Sequence, residues 1–171
     1  ASLLPNGDVF VLGGFSSLQG EGSNKGETYS PATKQWSAAG TFGEVRGAHT
    51  ATLLANGRTL AVGGASTGSL ANALASAELH DPAIGQWLTQ PNSPNQPRHS
   101  HTATLLANGK VLIAGGSDFN GQMRFSELYD PANDTWTRTG DLLVSRSGHT
   151  ATLLRNGKVL VTGGIQAGGT I

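Results

Sequence analysis

Three arginines, Arg46, Arg98 and Arg146, are each followed three residues later by a histidine, His49, His101 and His149. Three glutamates, Glu27, Glu78 and Glu127, recur on a similar beat. Imidazoles repeated around an axis offer nitrogen ligands for a metal ion. Paired carboxylates and guanidinium groups offer acid–base chemistry. Each of these residues, however, occurs once per sequence repeat, and a group required in every repeat is expected to hold the repeat together. The histidines are expected to hydrogen-bond backbone or the neighbouring repeat. Each arginine is expected to form a buried ion pair with a glutamate, a geometry that suits the planar guanidinium fork, and so to tie adjacent strands. His99 breaks the pattern, because Gly47 and Ser147 occupy the sister positions. On an extended strand His99 and His101 share a side, which favours a metal locally; no metal, cofactor or catalytic residue is assigned.

Other chemical motifs are fragmentary. Residues 20–26, Gly-Glu-Gly-Ser-Asn-Lys-Gly, have the glycines of a phosphate loop but not its Lys-Ser/Thr ending or a following helix. Asp118, Phe119, Asn120 and Gly121 echo the start of a calcium loop without a second acidic ligand at the right distance, and read as a turn. Asn133, Asp134 and Thr135 fit a glycosylation acceptor in a tight turn. An aromatic beside an arginine is a common hot-spot composition, which singles out Phe119, Met123, Arg124 and Phe125; alternatively, Met123 and Phe125 pack under their own loop.

The elements that position these residues follow from an internal repeat. Residues 51–57, Ala-Thr-Leu-Leu-Ala-Asn-Gly, recur at 103–109, at 151–157 with Arg155, and at 1–7 with Ser2 and Pro5. The intervals are 50, 52 and 48 residues. A glycine pair closes each unit: Gly13 and Gly14, Gly63 and Gly64, Gly115 and Gly116, Gly163 and Gly164. Trp36, Trp87 and Trp136 keep the same beat. In the second unit, 49–54 reads as a β-branched, apolar strand. Asn56 and Gly57 then make a tight hairpin turn with positive φ expected at both. Residues 59–62 form a second strand, 77–80 a third, Asp81 and Pro82 a turn, and 86–88 a fourth. Four antiparallel strands per unit make one propeller blade; no useful helical period is present. The glycine pairs are expected where backbone must approach a neighbouring blade closely, and the tryptophans in the wedge between blades.

The combination Arg-x-x-His, strand, Asn-Gly, strand, Gly-Gly, then Glu-x-(Tyr or His)-(Asp or Ser)-Pro-x-x-x-x-Trp resembles the Kelch repeat family over essentially the whole chain. It holds from Arg46 to Trp87 and from Arg98 to Trp136, and in part over 1–36 and 146–164, with Ser30 and His80 as mild departures. The resemblance is to bacterial-style repeats of the galactose oxidase-like type. It implies an all-β propeller of four-stranded antiparallel blades. About three and a half blades are expected: 1–40, 46–88, 98–138 and a half blade at 146–164, part of a larger six- or seven-bladed ring. The copper-radical oxidases of that type need a cysteine crosslinked to a tyrosine. This chain has no cysteine and only Tyr29 and Tyr129, so that activity is not expected in this segment.

Unit lengths differ only in two places. The glutamate-to-tryptophan spacing is always 9 and the arginine-to-second-glycine spacing always 18. The loop between second and third strands varies, with 13, 14 and 11 residues from second glycine to glutamate, as does the link between blades. In a meander these two connections share one face. The segments 15–26, 65–76, 90–97 and 117–125 therefore mark the expected binding face, although drift of surface loops also produces such variation. Its candidate binding residues are Phe15, Asn24, Lys25, His99, Asp118, Phe119, Asn120, Met123 and Arg124.

Composition narrows the partners. With 13% charged residues and zero net charge in 171 residues, no long-range field attracts nucleic acid. No apolar stretch is long enough to span a membrane, no leader is visible at the start, and the absence of cysteine excludes disulfides and thiolate metal sites. The surplus of small polar residues points to an extracellular or cell-surface, bacterial protein. The expected function is a non-catalytic module binding a protein or glycan. The alternatives are a self-assembling structural protein, or a segment of a carbohydrate-active enzyme (an epimerase or hydrolase) whose catalytic residues lie elsewhere.

Overall fold

The computed structural model describes residues 1–17, 20–90, 92–166 and 169–170. Leu18, Gln19 and Pro91, parts of the expected loops 15–26 and 90–97, lie outside the described residues. Among the described residues all regular structure is β. Three four-stranded antiparallel sheets follow one another. The first holds β1 (Ser2–Leu3), β2 (Val9–Leu12), β3 (Ser23–Ser30) and β4 (Gln35–Arg46). The second holds β5 (Thr50–Leu53), β6 (Thr59–Val62), β7 (Ala77–Asp81) and β8 (Gln86–Thr89). In the third, β9 (Thr102–Leu105) and β10 (Val111–Ala114) pair, and β10 then pairs with a strand beyond the hairpin formed by β11 (Ser117–Asp118) and β12 (Gly121–Gln122). That strand is β13 (Ser126–Asp130), followed by β14 (Thr135–Arg138). The fourth unit pairs β15 (Thr150–Leu153) with β16 (Val159–Thr162), followed by a small hairpin of β17 (Ile165–Gln166) and β18 (Gly169–Thr170).

The second and third sheets have equivalent registers: Ala61 opposes Glu78 and Ile113 opposes Glu127. In the first, Val11 opposes Glu27, but β4 continues to Arg46 with register shifts against β3, well past residue 40. The innermost strands β1, β5, β9 and β15 lie side by side in chain order, so the sheets fan out from a common line. Apolar residues fill the spaces between them. Phe10, Leu12 and Phe42 pack with Trp87 between the first and second sheets. Leu54, Leu60, Val62 and Leu79 pack with Val111, Ile113 and Tyr129 between the second and third, with Trp136 against the edge of that cluster. Trp36, in the first sheet, is 55% exposed and has no neighbouring sheet against it among the described residues.

The hairpin turn also differs from expectation. Gly57 alone has a positive φ, of 81°; Asn56 does not. The Gly57 N–H donates to the Leu54 carbonyl at 3.0 Å, which makes residues 54–57 a type I turn, with Gly57 in the left-handed position that returns the chain to the strand. The Asn56 side chain accepts from the Arg58 N–H at 3.1 Å, so asparagine serves through its oxygen and not through left-handed backbone.

Candidate functional site

The two kinds of connection separate to opposite ends of each sheet. At one end the Asn-Gly and Asp-Pro turns are tied to each other, by Arg58–Asp81 at 2.7 Å in the second sheet and Lys110–Asp130 at 3.1 Å in the third. At the other end lie the loops that vary in length. There, segments 15–26 and 65–76 are joined by backbone bonds: Gly22 N–H donates to the Ser66 carbonyl and Gly68 N–H to that of Gly20, both at 2.8 Å.

Beneath this end sits the arginine–glutamate pin. Arg46 Nη2 is 2.6 Å from Glu78 Oε1, and Arg98 Nη2 is 2.6 Å from Glu127 Oε2, with all four side chains buried. Nη1 of each arginine donates to the first glycine of the pair, Gly63 at 2.8 Å and Gly115 at 3.0 Å. Each glutamate in turn accepts from the preceding link, Glu78 from the Gly43 N–H at 2.7 Å and Glu127 from the Asn95 N–H at 2.9 Å. The pin therefore ties an inter-sheet link to the end of a second strand and to a third strand, a wider span than two adjacent strands. Burial works against the Arg98 charge, and Glu127 offsets it. Two expected pairs are not formed among the described residues. Glu27 is exposed with no arginine beside it, and Arg146 keeps its bond to the Gly163 carbonyl at 2.9 Å with no glutamate paired to it there.

Two of the recurrent histidines link neighbouring sheets. His101 Nε2 lies 2.8 Å from Thr50 Oγ1, and His149 Nε2 lies 2.9 Å from Thr102 Oγ1. Burial, reinforced by Arg46, lowers the His49 pKa to about 4; burial likewise lowers His101, with Arg98 adding to it, and His149, with Arg146 adding to it. All three rings are neutral near pH 7. Among the described residues no three His, Cys, Asp or Glu side chains converge as metal ligands. The expected shared side of His99 and His101 does not exist. Ser100 has φ 52°, which breaks the alternation, and β9 begins only at Thr102. His99 instead bridges Ser117, and its Nδ1 lies 3.1 Å from Ser100 Oγ.

That left-handed residue is a feature the sequence reading missed. Ala48, Ser100 and Gly148 occupy the same place in three units, with φ 52°, 52° and 62°. The Ser100 N–H donates to the Ala48 carbonyl at 2.9 Å and the Gly148 N–H to the Ser100 carbonyl at 2.8 Å, so each unit is stitched to the next by backbone. Gly148 was the available signal; Ala48 and Ser100 concealed it.

The candidate binding residues divide by burial. Phe15 packs its ring on Gly47, and Asn24 donates to the Phe42 carbonyl at 3.2 Å, so both hold the loop in place. Lys25 is exposed. Asp118 accepts from the Asn120 N–H at 2.7 Å, closing a turn that lifts Phe119 to 80% exposure. Met123 is half-buried, and its N–H donates to the Gly116 carbonyl at 2.9 Å. Arg124 is exposed, 3.7 Å from Asp141. Phe125 packs inward with the Arg98 and Arg138 guanidinium carbons 5.5 and 4.4 Å from its ring centre. Phe119 and Arg124 are thus presented outward, while Phe125 supports the loop.

Residues 1–43 match the family model described as the Kelch motif. The chain is also similar to Kelch domain-containing protein 7A of Mus musculus, 31% identical over 119 residues, which covers 69% of this chain and 14% of that protein. The chain spans a small part of the length of that relative. Together these matches support a Kelch-repeat family.

Proposed function

With the sheets taken as Kelch-type blades, we propose that the chain forms part of a β-propeller and binds a protein, without catalysis, through the end that carries the variable loops. Kelch repeats generally mediate protein–protein interaction. The observation that carries the reading is the β11–β12 hairpin, which holds Phe119 at 80% exposure on that end, with the exposed Arg124 five residues further along the same connection. An aromatic anchor on a short, hydrogen-bonded turn loses little conformational freedom on binding, so most of its buried area counts towards affinity. The side-by-side inner strands support a propeller completed by further blades, six or seven in all. An extracellular or cell-surface setting rests on composition alone.

The test compares partner capture by the chain, by a Phe119→Ala/Arg124→Ala variant and by Lys158→Ala, which alters an exposed residue at the opposite end. Equal melting temperatures establish that all three are folded. At least a tenfold loss is expected for the hairpin variant and none for Lys158→Ala. Equal losses, or none in either, refute the loop-face assignment.

A glycan-binding reading has one observation in its favour. A pocket of about 320 Å³ between β14 and the link that precedes the third sheet is lined by Trp136 and the uncharged Asn92, Ser93, Asn95 and Thr135. The indole N–H there already donates to the Asn92 carbonyl at 3.0 Å, which leaves the protein-binding reading ahead.

A further inference from the structure

The chain holds five Asn-Gly dipeptides, at 6–7, 56–57, 108–109, 120–121 and 156–157. Each sets an electrophilic side-chain carbonyl next to a backbone nitrogen that no side chain shields. All five asparagines are exposed, so exposure does not separate them. Hydrogen bonding does. In four of them the asparagine Oδ1 accepts the N–H two residues on, from Asp8, Arg58, Lys110 and Lys158, each at 3.1 Å. The glycine N–H of the same four donates to a leucine carbonyl, at 2.9 or 3.0 Å. Carbonyl and nitrogen are thus held by separate partners. Asn120 differs. Its own N–H donates to Asp118 Oδ1 at 2.7 Å and its Nδ2 to Asp118 Oδ2 at 3.3 Å, while its Oδ1 accepts no hydrogen bond among the described residues. A Cβ on Gly121 would meet nothing within 4 Å, so the space beside that glycine is open. The hairpin is also short. The β11–β12 sheet has two strands and two residue pairs, whereas Asn56 and Asn108 close ladders of four residue pairs inside four-stranded sheets. A two-stranded hairpin opens more readily than a strand pair built into a sheet.

We propose that Asn120 is a site of spontaneous covalent modification, converted to aspartate and isoaspartate by attack of the Gly121 backbone nitrogen, while the Asn-Gly turns at Asn56 and Asn108 are protected by their hydrogen bonds. The Gly121 nitrogen gives up its proton to solvent and attacks Cγ of Asn120. A new N–Cγ bond closes a succinimide ring. The Cγ–Nδ2 bond breaks, and Nδ2 takes up a proton and leaves as ammonia. Water then adds to either ring carbonyl, and the ring opens to aspartate or to isoaspartate. The co-reactant is water, and nothing is oxidised or reduced. The attack needs nitrogen and Cγ in line and nearly in contact. At Asn56 that geometry requires both the Oδ1 bond and the Gly57 bond to break; at Asn120 the Oδ1 bond is not there to break. The product places a second carboxylate beside Asp118. Isoaspartate also lengthens the backbone by a methylene inside a hairpin whose register pairs Asp118 with Gly121. On the loop-face reading this alters the turn that presents Phe119; that consequence rests on the reading, and the conversion itself does not.

The test incubates the full chain at mildly alkaline pH and follows the five sites by peptide mapping with mass spectrometry, with isoaspartate resolved from aspartate by chromatography. Asn120 is expected to convert about tenfold or more faster than Asn56 or Asn108, whose reaction waits on opening of a ladder within a sheet. Isoaspartate is expected among the products, because only ring opening makes it. In urea the five sites should converge on similar rates, since the dipeptide is the same and the bonds that distinguish the sites are gone. Conversion of Asn120 no faster than that of Asn56 and Asn108 overturns the proposal. So does aspartate without isoaspartate, which means direct hydrolysis of the side chain, and so does an order among the sites that persists in urea, which assigns it to local sequence.

Discussion

The arginines of the pins act electrostatically on the recurrent histidines, and the protonation of these rings follows from burial together with that charge. Arg46 adds to the burial that holds His49 at a pKa of about 4, against an ordinary value of 6.5. His101 and His149 are lowered in the same direction, first by burial and then by their arginines. Between pH 6.5 and about 4 the unfolded chain binds protons that the folded chain refuses, so stability rises with pH through that window. The contribution is fully present above pH 6.5 and is lost as the pH falls towards 4. Melting temperatures at pH 7.5, 5.5 and 4.5 should therefore decline, and the decline should be shallower in His101→Gln. A melting temperature that holds or rises on acidification contradicts the placement of these rings.

At the scale of the element, the glycines do two different jobs. Gly57 has φ 81°, and an added Cβ would meet nothing within 4 Å; only the left-handed backbone disfavours alanine. Gly64 has φ 96°, and its Cβ would stand 2.6 Å from the Gly47 carbonyl oxygen and 2.8 Å from the His49 Cβ. Strand end and neighbouring link touch there with no room for a methyl group. Gly57→Ala should cost about 1–2 kcal/mol, the usual penalty of left-handed backbone for an L residue. Gly64→Ala should cost at least twice as much, because neither neighbour is the flexible tip of a side chain. Urea titrations of the two variants compare them directly, and equal costs would remove the steric argument for the glycine pair.

In the whole molecule, stability is carried by the spaces between sheets. Trp87 belongs to the second sheet but lies against the first, with ring centres 6.0 Å from Phe10 and 5.2 Å from Phe42. Trp36 holds the same place in the first sheet and touches Tyr29 of its own sheet at 5.2 Å. Trp87→Ala should cost about 3 kcal/mol or more, as for other large side chains removed from a core. Trp36→Ala should cost about 1 kcal/mol or less, since its ring is already largely in water. Denaturant midpoints that fall equally for the two variants would mean that the sheets are not held by these wedges.

The repeat alone determined the four main strands of a unit, their order and the close-packed glycine pairs, because each depends on local spacing and on the size of one side chain. It also separated the varying connections from the constant ones, and antiparallel pairing is enough to put these at opposite ends. It did not determine which glutamate each arginine meets. Equivalent motifs at Glu27 and Glu78 have opposite fates, one exposed and one buried, because a partner comes from the chain in front of its own sheet. The left-handed turn at Ala48 and Ser100 was equally hidden, since neither residue type advertises positive φ; carbonyl-to-amide bonds between successive units hold it. Phe119 and Phe125 are alike in sequence context, yet one is presented outward and the other packs beside two arginines. Only tertiary structure decided these points, because burial belongs to what surrounds a residue and the neighbours stand well apart in the chain, as Glu78 does at 32 residues from Arg46 and His101 at 51 from Thr50.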